Sequence, residues 1–220
     1  MRFIGFVALV AVVVCGCSGG KGSSGVTDGG AGQAFWWGTA AAEQVSDATV
    51  DTFGNIYLVG TSYQTGADSD LFIVKISSSG QLLWAKSYDS GKYDLATGVV
   101  ANASGEVYVS GFSYSSPLTS PEDALLFKFD SNGTLLWQKA WSPSVGAAYH
   151  DVLIPSAGVI VTIGTYVDAG NNRYGLLQKW NPNGSITSTT LWQFSGFTSL
   201  TPFAATADTS GNIYIAGSLT

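Results

Sequence analysis

Apolar residues recur along most of this chain in short runs that turn-forming residues separate. The stretch 94–141 shows the pattern most clearly, because it holds four runs rich in β-branched and aromatic residues with Gly, Asn or Ser between them. Such runs predict β-strands, and the glycines supply the positive φ angles that tight hairpins need. No helical periodicity occurs from residue 34 onward. The pattern therefore predicts an all-β fold.

The four-run unit repeats along the chain. The glycines that close the second run of each unit are 51, 53 and 53 residues apart, at Gly60, Gly111, Gly164 and Gly217. Self-similarity at this period is typical of β-propellers and related repeat folds. Four strands joined by hairpins form one antiparallel blade with two apolar faces, which must stack on neighbouring blades. A β-sandwich with coincidental similarity between its parts is the alternative.

The repeat also predicts the domain organisation, with the propeller occupying 34–220. In chain order the parts are a lone fourth strand at 35–40, three full blades at about 47–88, 94–141 and 151–194, and a partial blade at 204–220. Because propellers typically have four or more full blades, we expect an incomplete ring that belongs to a longer chain. In the alternative, the lone strand joins the partial blade and closes a small ring.

The first 33 residues predict an export signal followed by a tether. Arg2 precedes an apolar run that is too short to span a bilayer, as in secretory signals. Val14-Cys15-Gly16-Cys17 resembles a bacterial lipobox, which makes 1–17 the signal peptide and lipobox and Cys17 the lipidated residue. Residues 18–33 are rich in Gly and Ser and predict a flexible tether. Ordinary signal-peptidase cleavage and an uncleaved anchor are the alternatives.

The repeat unit itself resembles a known family. GNIYLVG…DLFIVKISSSGQLLWAKSY and GEVYVSG…DALLFKFDSNGTLLWQKAW are similar to the bacterial seven-bladed β-propeller (SBBP) repeat, from about residue 35 to the end. The resemblance implies a propeller in an exported bacterial protein, often one of unknown ligand. The G-x-L-L-W element also resembles the shorter repeats of quinoprotein-type propellers, which include an outer-membrane assembly lipoprotein.

Composition excludes several classes of function. Charged residues are 11% of the chain and the formal net charge is −6, which argues against a nucleic-acid partner because such binding needs a basic patch. The two cysteines are Cys15 and Cys17, and the one histidine is His150. The repeats therefore hold neither a disulfide framework nor a multi-histidine metal site. We expect no cofactor and no metal.

Candidate binding residues are the tyrosines near the variable loops. If the first strand of each blade is innermost, the loops within and between blades share one end of the propeller, the loop end, and the short uniform turns share the other, the turn end. Variable loops on a rigid scaffold often bind ligands, and tyrosines there can stack on a sugar or pack against a peptide. The candidates are Tyr63, Tyr93, Tyr114, Tyr149 and Tyr166. In the alternative, these rings pack between blades.

Two sets of recurring polar residues predict structural roles. Acidic residues that begin the first strand of each unit predict caps that accept backbone N–H groups, and they are Asp47, Asp94 and Asp151. Lysines that alternate with apolar residues in the third run predict solvated positions, and they are Lys75, Lys128 and Lys179.

Few residues suggest chemistry. Asp68 and Asp70 form a D-x-D pair without the further oxygen ligands that calcium needs. His150 precedes Asp151, but no G-x-S-x-G nucleophile motif accompanies it. We therefore predict no catalytic residue.

These observations predict an exported, lipid-anchored propeller at the bacterial cell envelope, at the outer membrane or cell surface. Its function would be that of a non-enzymatic binding or scaffold module. Its partners would be the membrane, through the anchor, and a protein or glycan at the loop end. One alternative is an outer-membrane protein assembly factor of the quinoprotein-like type. Another is a propeller enzyme, a lyase or glycosidase, which needs convergent carboxylates.

Overall fold

A computed structural model describes residues 42–63, 68–115, 123–143 and 145–220 in full, and the backbone of three strands within the first 38 residues. These parts of the chain form 17 strands joined by turns and contain no helix. The predicted all-β class is therefore confirmed. Within the same residues, nothing helical is long and apolar enough to cross a bilayer.

Twelve of the strands form three four-stranded antiparallel sheets, each built from consecutive strands. Sheet I contains β4 (Ala42–Val50), β5 (Ile56–Tyr63), β6 (Ser69–Ile76) and β7 (Leu82–Tyr88). Sheet II contains β8 (Tyr93–Ala101), β9 (Val107–Tyr114), β10 (Asp123–Phe129) and β11 (Leu135–Trp141). Sheet III contains β12 (Gly146–Ser156), β13 (Val159–Val167), β14 (Arg173–Trp180) and β15 (Ile186–Trp192). Four runs per repeat thus correspond to four paired strands.

Two smaller sheets contain the remaining strands. Hairpin IV consists of β16 (Leu200–Ala207) and β17 (Ile213–Leu219). The N-terminal sheet has the order β1–β3–β2 and consists of β1 (Ala11–Val14), β2 (Ser23–Asp28) and β3 (Gln33–Gly38). The predicted lone strand at 35–40 overlaps β3, which pairs with β1 in parallel and with β2 in antiparallel orientation. The rest of the predicted signal peptide and tether lies outside the described residues.

Successive sheets are stacked on one another. Their first strands are neighbours, since β4 lies beside β8, β8 beside β12 and β12 beside β16. Apolar side chains fill the space between sheets: Tyr57 and Ile73 of sheet I pack with Val109 and Phe127 of sheet II. The fourth strands, β7, β11 and β15, are mostly exposed. Each sheet therefore buries its faces against neighbours and leaves its last strand outermost, as blades do.

The recurring glycine of the second strand has a steric cause. The first strand of each sheet carries a β-bulge opposite this position. A Cβ on Gly60 would lie 2.0 Å from the carbonyl oxygen of Gln44, and the equivalent Cβ to carbonyl distances are 2.1 Å at Gly111 and 1.9 Å at Gly164. No side chain fits there, so the repeat spacing marks the bulge.

The bulges also correct the alignment of the acidic residues. Asp47 and Asp151 directly follow the bulge in β4 and β12, whereas Gly98 holds this position in β8. The prediction that Asp94 is their equivalent is therefore wrong, because the bulge adds a residue that the pattern of apolar runs does not reveal. Asp94 does cap a turn, as predicted, since its carboxylate accepts hydrogen bonds from the N–H and hydroxyl of Ser90.

Candidate functional site

Tryptophans of the fourth strands connect each of the first two sheets to the next one. The Trp84 indole N–H donates to the Ser131 carbonyl at 3.2 Å, and the Trp137 indole N–H donates to the Pro182 carbonyl at 3.0 Å. Both acceptors lie in the last turn of the following sheet, at the turn end. A Cβ on Gly133 would lie 2.7 Å from Trp84 Cδ2. The turn end is thus used for contacts between sheets.

The recurring lysines take part in the same contacts. Lys75 and Lys128 are only 6% and 7% exposed, and their Nζ atoms lie 5.0 and 5.5 Å from the ring centroids of Tyr57 and Tyr108. The prediction of solvated positions is therefore wrong for these two lysines and right for Lys179, which is exposed. The cause is the residue opposite on the second strand, which is a tyrosine in sheets I and II and a valine in sheet III.

The bulge carboxylates also connect neighbouring sheets. Asp47 Oδ2 accepts the Val99 N–H at 2.8 Å, and Asp151 Oδ2 accepts the Ala205 N–H at 2.8 Å. Burial raises the pKa of both carboxyls, and the charge of Asp47 adds to the effect at Asp151. The predicted acceptor role is confirmed, although the N–H groups belong to the next sheet rather than to a local turn.

Three of the five predicted tyrosines come together at the loop end and form what we name the tyrosine group, Tyr63, Tyr93 and Tyr114. Tyr93 and Tyr114 stack with their ring centroids 5.2 Å apart and their planes within 3°. Tyr63 is 42% exposed. Burial raises the pKa of the Tyr114 hydroxyl, and the proximity of Tyr63 and Tyr93 raises it further. The group therefore presents aromatic surface from two adjacent sheets.

Further aromatic rings continue this group towards sheet III. Phe112 lies 6.1 Å from Tyr114, centroid to centroid, and the imidazole of His150 lies 6.3 Å from Phe112. Phe112 was not among the predicted residues. Its position at the start of the variable loop of the second unit is the signal that could have identified it.

Tyr166 belongs to a separate group of rings. It lies 5.9 Å from Trp141 and 5.9 Å from Tyr174, centroid to centroid. All three rings are partly exposed. The sequence gave no signal for Trp141 or Tyr174, because they end a fourth strand and begin a third strand rather than lie in a variable loop.

Tyr149 is placed differently from the prediction. It lies within β12, is 0% exposed and packs edge-on against Trp180 at 6.2 Å. Its hydroxyl donates to the Gln178 side-chain oxygen. The expectation that Tyr149 lies in an exposed loop is therefore wrong, because the first strand of the third unit begins earlier than its apolar run indicates.

An acidic cluster lies at the loop end of sheet I. The carboxylate oxygens of Asp68, Asp70 and Asp89 lie within 4.8 Å of one another. The sequence pairs the first two, and the fold adds Asp89 from the loop between sheets I and II. Carboxylates accept hydrogen bonds from hydroxyl groups. Calcium takes about six to eight oxygens, more than one oxygen from each of these side chains supplies.

His150 lies among uncharged groups and one cation. Its Nε2 lies 3.1 Å from the Thr165 hydroxyl. Burial, with the nearby Arg173 charge as a second cause, lowers the pKa of the imidazole to about 4. The ring is therefore neutral near pH 7, and its partner Thr165 is only 4% exposed.

Two observations leave identity to the geometry. Cys17, the predicted lipidation site, lies outside the described residues. No protein-family model matches the chain, and no curated protein does either. The features that bear on function are therefore the tyrosine group, the acidic cluster beside it and the surroundings of His150.

Proposed function

We propose that the protein is an exported, lipid-anchored β-propeller that acts as a non-enzymatic binding module at the bacterial cell envelope and binds a glycan at its loop end. Sheets I to III are blades in this proposal, and hairpin IV belongs to a further blade. The stacking of the sheets through their first strands and the resemblance of the repeat to the SBBP family support the architecture.

The observation that carries the proposal is the tyrosine group next to the acidic cluster. Tyr93 and Tyr114 form a stacked pair, and Tyr63 adds an exposed ring. Aromatic rings that combine an apolar body with a polar tip suit the faces of sugar rings. Carboxylates beside them accept hydrogen bonds from sugar hydroxyls. Asp94, whose carboxylate already caps a turn, is close enough to Asp89 and Asp70 for their charges to raise its pKa after burial does.

A glycan array tests the binding proposal. Purified protein is expected to bind a subset of glycans, and the triple change Tyr63→Ala, Tyr93→Ala and Tyr114→Ala is expected to weaken binding roughly tenfold or more, since lost aromatic contacts worth about 1.4 kcal/mol reduce affinity tenfold. The matched control is Tyr214→Ala, because Tyr214 is 56% exposed but lies in hairpin IV.

Two results would count against glycan binding. One is a wild-type protein that binds no glycan on the array but captures peptides through the same tyrosines, which would indicate a protein ligand. The other is unchanged glycan binding by the triple variant. Thermal unfolding of each variant establishes that it is folded.

The anchor has its own test. Cys17→Ser is expected to abolish incorporation of radiolabelled palmitate and to move the protein from the membrane fraction to the soluble exported fraction, because several acyl chains on one cysteine hold a protein at a bilayer. Cys15→Ser is the matched control and is expected to leave labelling intact. Labelling that persists in Cys17→Ser contradicts the lipobox assignment.

A second candidate function, an outer-membrane assembly factor, rests on the outermost strands. Each of the first two sheets exposes a leucine pair where its fourth strand begins, with Leu82 and Leu83 at 40% and 49% and Leu135 and Leu136 at 42% and 48% exposure. An exposed strand edge can pair with an extended client segment. If this is the function, changing Leu83 and Leu136 to Lys removes binding of strand-forming peptides, and the triple tyrosine variant retains it.

A further inference from the structure

A small cavity at the loop end lies between sheet III and β16. Its volume is about 50 Å³. Four polar side chains line it, from three strands of sheet III and from β16, namely His150, Thr165, Arg173 and Thr201. Small apolar residues such as Ala148 and Val167 form the rest of its wall. A cavity of this volume holds roughly three or four waters, which is also enough room for a carboxylate group.

The cavity carries a positive charge in an acidic protein. The chain has 15 acidic residues against nine lysines and arginines, yet no carboxylate lines this cavity. Within the described part of the chain, the Arg173 guanidinium makes neither a hydrogen bond nor an ion pair. A guanidinium offers five N–H donors in a planar fork that matches a carboxylate.

The acidic residues adjacent in sequence to the lining residues are already engaged. Asp151, which follows His150, accepts the N–H groups of Val152 and Ala205. Asp168, which follows Val167, accepts the hydroxyl of Tyr174 and N–H groups of its own turn. Neither carboxylate is therefore directed at Arg173.

Neighbouring groups supply donors without adding charge. His150 is neutral near pH 7 because burial, and then the Arg173 charge, lower its pKa to about 4. The hydroxyls of Thr165 and Thr201 can donate to an oxygen in the cavity. One positive charge with neutral donors suits one negative charge, so the chemistry matches a monoanionic carboxylate.

We propose that this cavity binds the carboxylate of an acidic sugar. Arg173 holds the two carboxylate oxygens, Thr165 and Thr201 contribute hydroxyl donors, and the sugar rings extend along His150, Phe112 and the tyrosine group. Successive ring centroids along this path lie 6.3, 6.1 and 5.2 Å apart. The sugar part of the proposal rests on the proposed function, whereas the carboxylate part rests on the cavity alone.

Amide NMR titration of the full chain with sodium acetate, sodium D-glucuronate and D-glucose tests the proposal. Acetate and glucuronate are expected to shift the amide signals of Thr165, Arg173 and Thr201, and glucose is expected not to. Arg173→Met keeps the apolar stem and is expected to weaken glucuronate binding about tenfold or more, since a hydrogen bond to a charged group contributes roughly 1.5–3 kcal/mol. Lys179→Met, which removes an exposed positive charge from the same strand, is the matched control.

Several outcomes would overturn the proposal. They are equal binding of glucose and glucuronate, unchanged glucuronate affinity in Arg173→Met, equal losses in Arg173→Met and Lys179→Met, and no response of these amides to either carboxylate. Acetate and glucuronate binding without any array glycan would leave the carboxylate site standing and remove the proposed glycan function. Glycan binding that Arg173→Met leaves intact would remove the site and leave that function standing.

Discussion

Asp51 and Asp151 show how one residue type obtains opposite properties in this protein. Burial acts to raise the pKa of Asp51, but hydrogen bonds from Asn55 and from the Tyr57 hydroxyl outweigh it and lower the pKa below 3.8. At Asp151, burial outweighs the N–H bonds, including that of Ala205, and raises the pKa above 3.8. The stability that each carboxyl contributes therefore depends on pH with opposite sign.

The first prediction concerns Asp151→Asn. Because the folded protein holds the Asp151 proton more tightly than the unfolded chain does, the resulting stability is fully present below the unfolded pKa of 3.8 and is lost as pH rises through the folded value. The decrease in free energy of unfolding caused by Asp151→Asn is thus expected to be larger at about pH 3 than at about pH 7. Urea denaturation at both pH values measures it.

Asp51→Asn provides the opposite case in the same experiment. The stability from a lowered pKa is present above 3.8 and is lost as pH falls through the folded value. The destabilisation by Asp51→Asn is therefore expected to be larger at neutral pH than in acid. If both variants respond to pH with the same sign, the assigned environments of these carboxyls are incorrect.

Among the elements, the turn between the third and fourth strands is the point where sheets meet. Gly133 in this turn of sheet II has a φ of 80° and lies against the Trp84 indole, and Gly184 lies in the same way against Trp137 in sheet III. The recurring Gly and Trp of the repeat therefore act as a pair, with each tryptophan bound to the glycine turn of the following unit.

Gly133→Ala is predicted to destabilise the protein in two ways. A positive φ costs an alanine roughly 1–2 kcal/mol, and a Cβ placed 2.7 Å from Trp84 Cδ2 forces the indole to move, which adds about 1–3 kcal/mol. Gly91→Ala is the matched control, because its φ is 75° but no atom lies within 4 Å of the added Cβ. Chemical denaturation of both variants isolates the contact with the tryptophan.

Equal losses of stability in Gly133→Ala and Gly91→Ala would show that the indole does not depend on the glycine. A loss at Gly133 that Trp84→Phe removes would strengthen the assignment, since the smaller ring leaves room for the methyl group.

The strands were predictable from the sequence, but the register between them was not. Alternating apolar residues and glycine turns identified the four-stranded units because those signals are local. The misplacement of Asp94 arose at a β-bulge, which inserts one residue without changing the apolar pattern. The burial of Lys75 depends on Tyr57 across the strand pair and on the next sheet, and neither is visible in a single run.

For the whole molecule, the two ends differ in what their side chains do. At the turn end, tryptophans and lysines are used for contacts between sheets. At the loop end, the tyrosine group, the acidic cluster and the Arg173 cavity leave polar and aromatic surface available. Function therefore belongs to the end where the repeat units differ from one another, as variable loops on a rigid scaffold lead one to expect.

The site was predictable only in part. Tyr63, Tyr93 and Tyr114 were found because they border variable loops. Tyr149 was misassigned because a strand boundary does not show in composition. The Arg173 cavity was missed because its lining comes from four strands, which only the folded chain brings together.

Fluorine NMR of protein labelled with 3-fluorotyrosine tests the central claim most directly. The chain has ten tyrosines, and single Tyr→Phe changes assign their signals. On titration with a glycan selected from the array, the signals of Tyr63, Tyr93 and Tyr114 are predicted to shift in parallel with binding. Those of the buried Tyr57, Tyr108 and Tyr149 and of the distant Tyr214 are predicted to stay unchanged. Shifts confined to Tyr214, or a saturating glycan that shifts none of the tyrosine group, would contradict the assignment of function to the loop end.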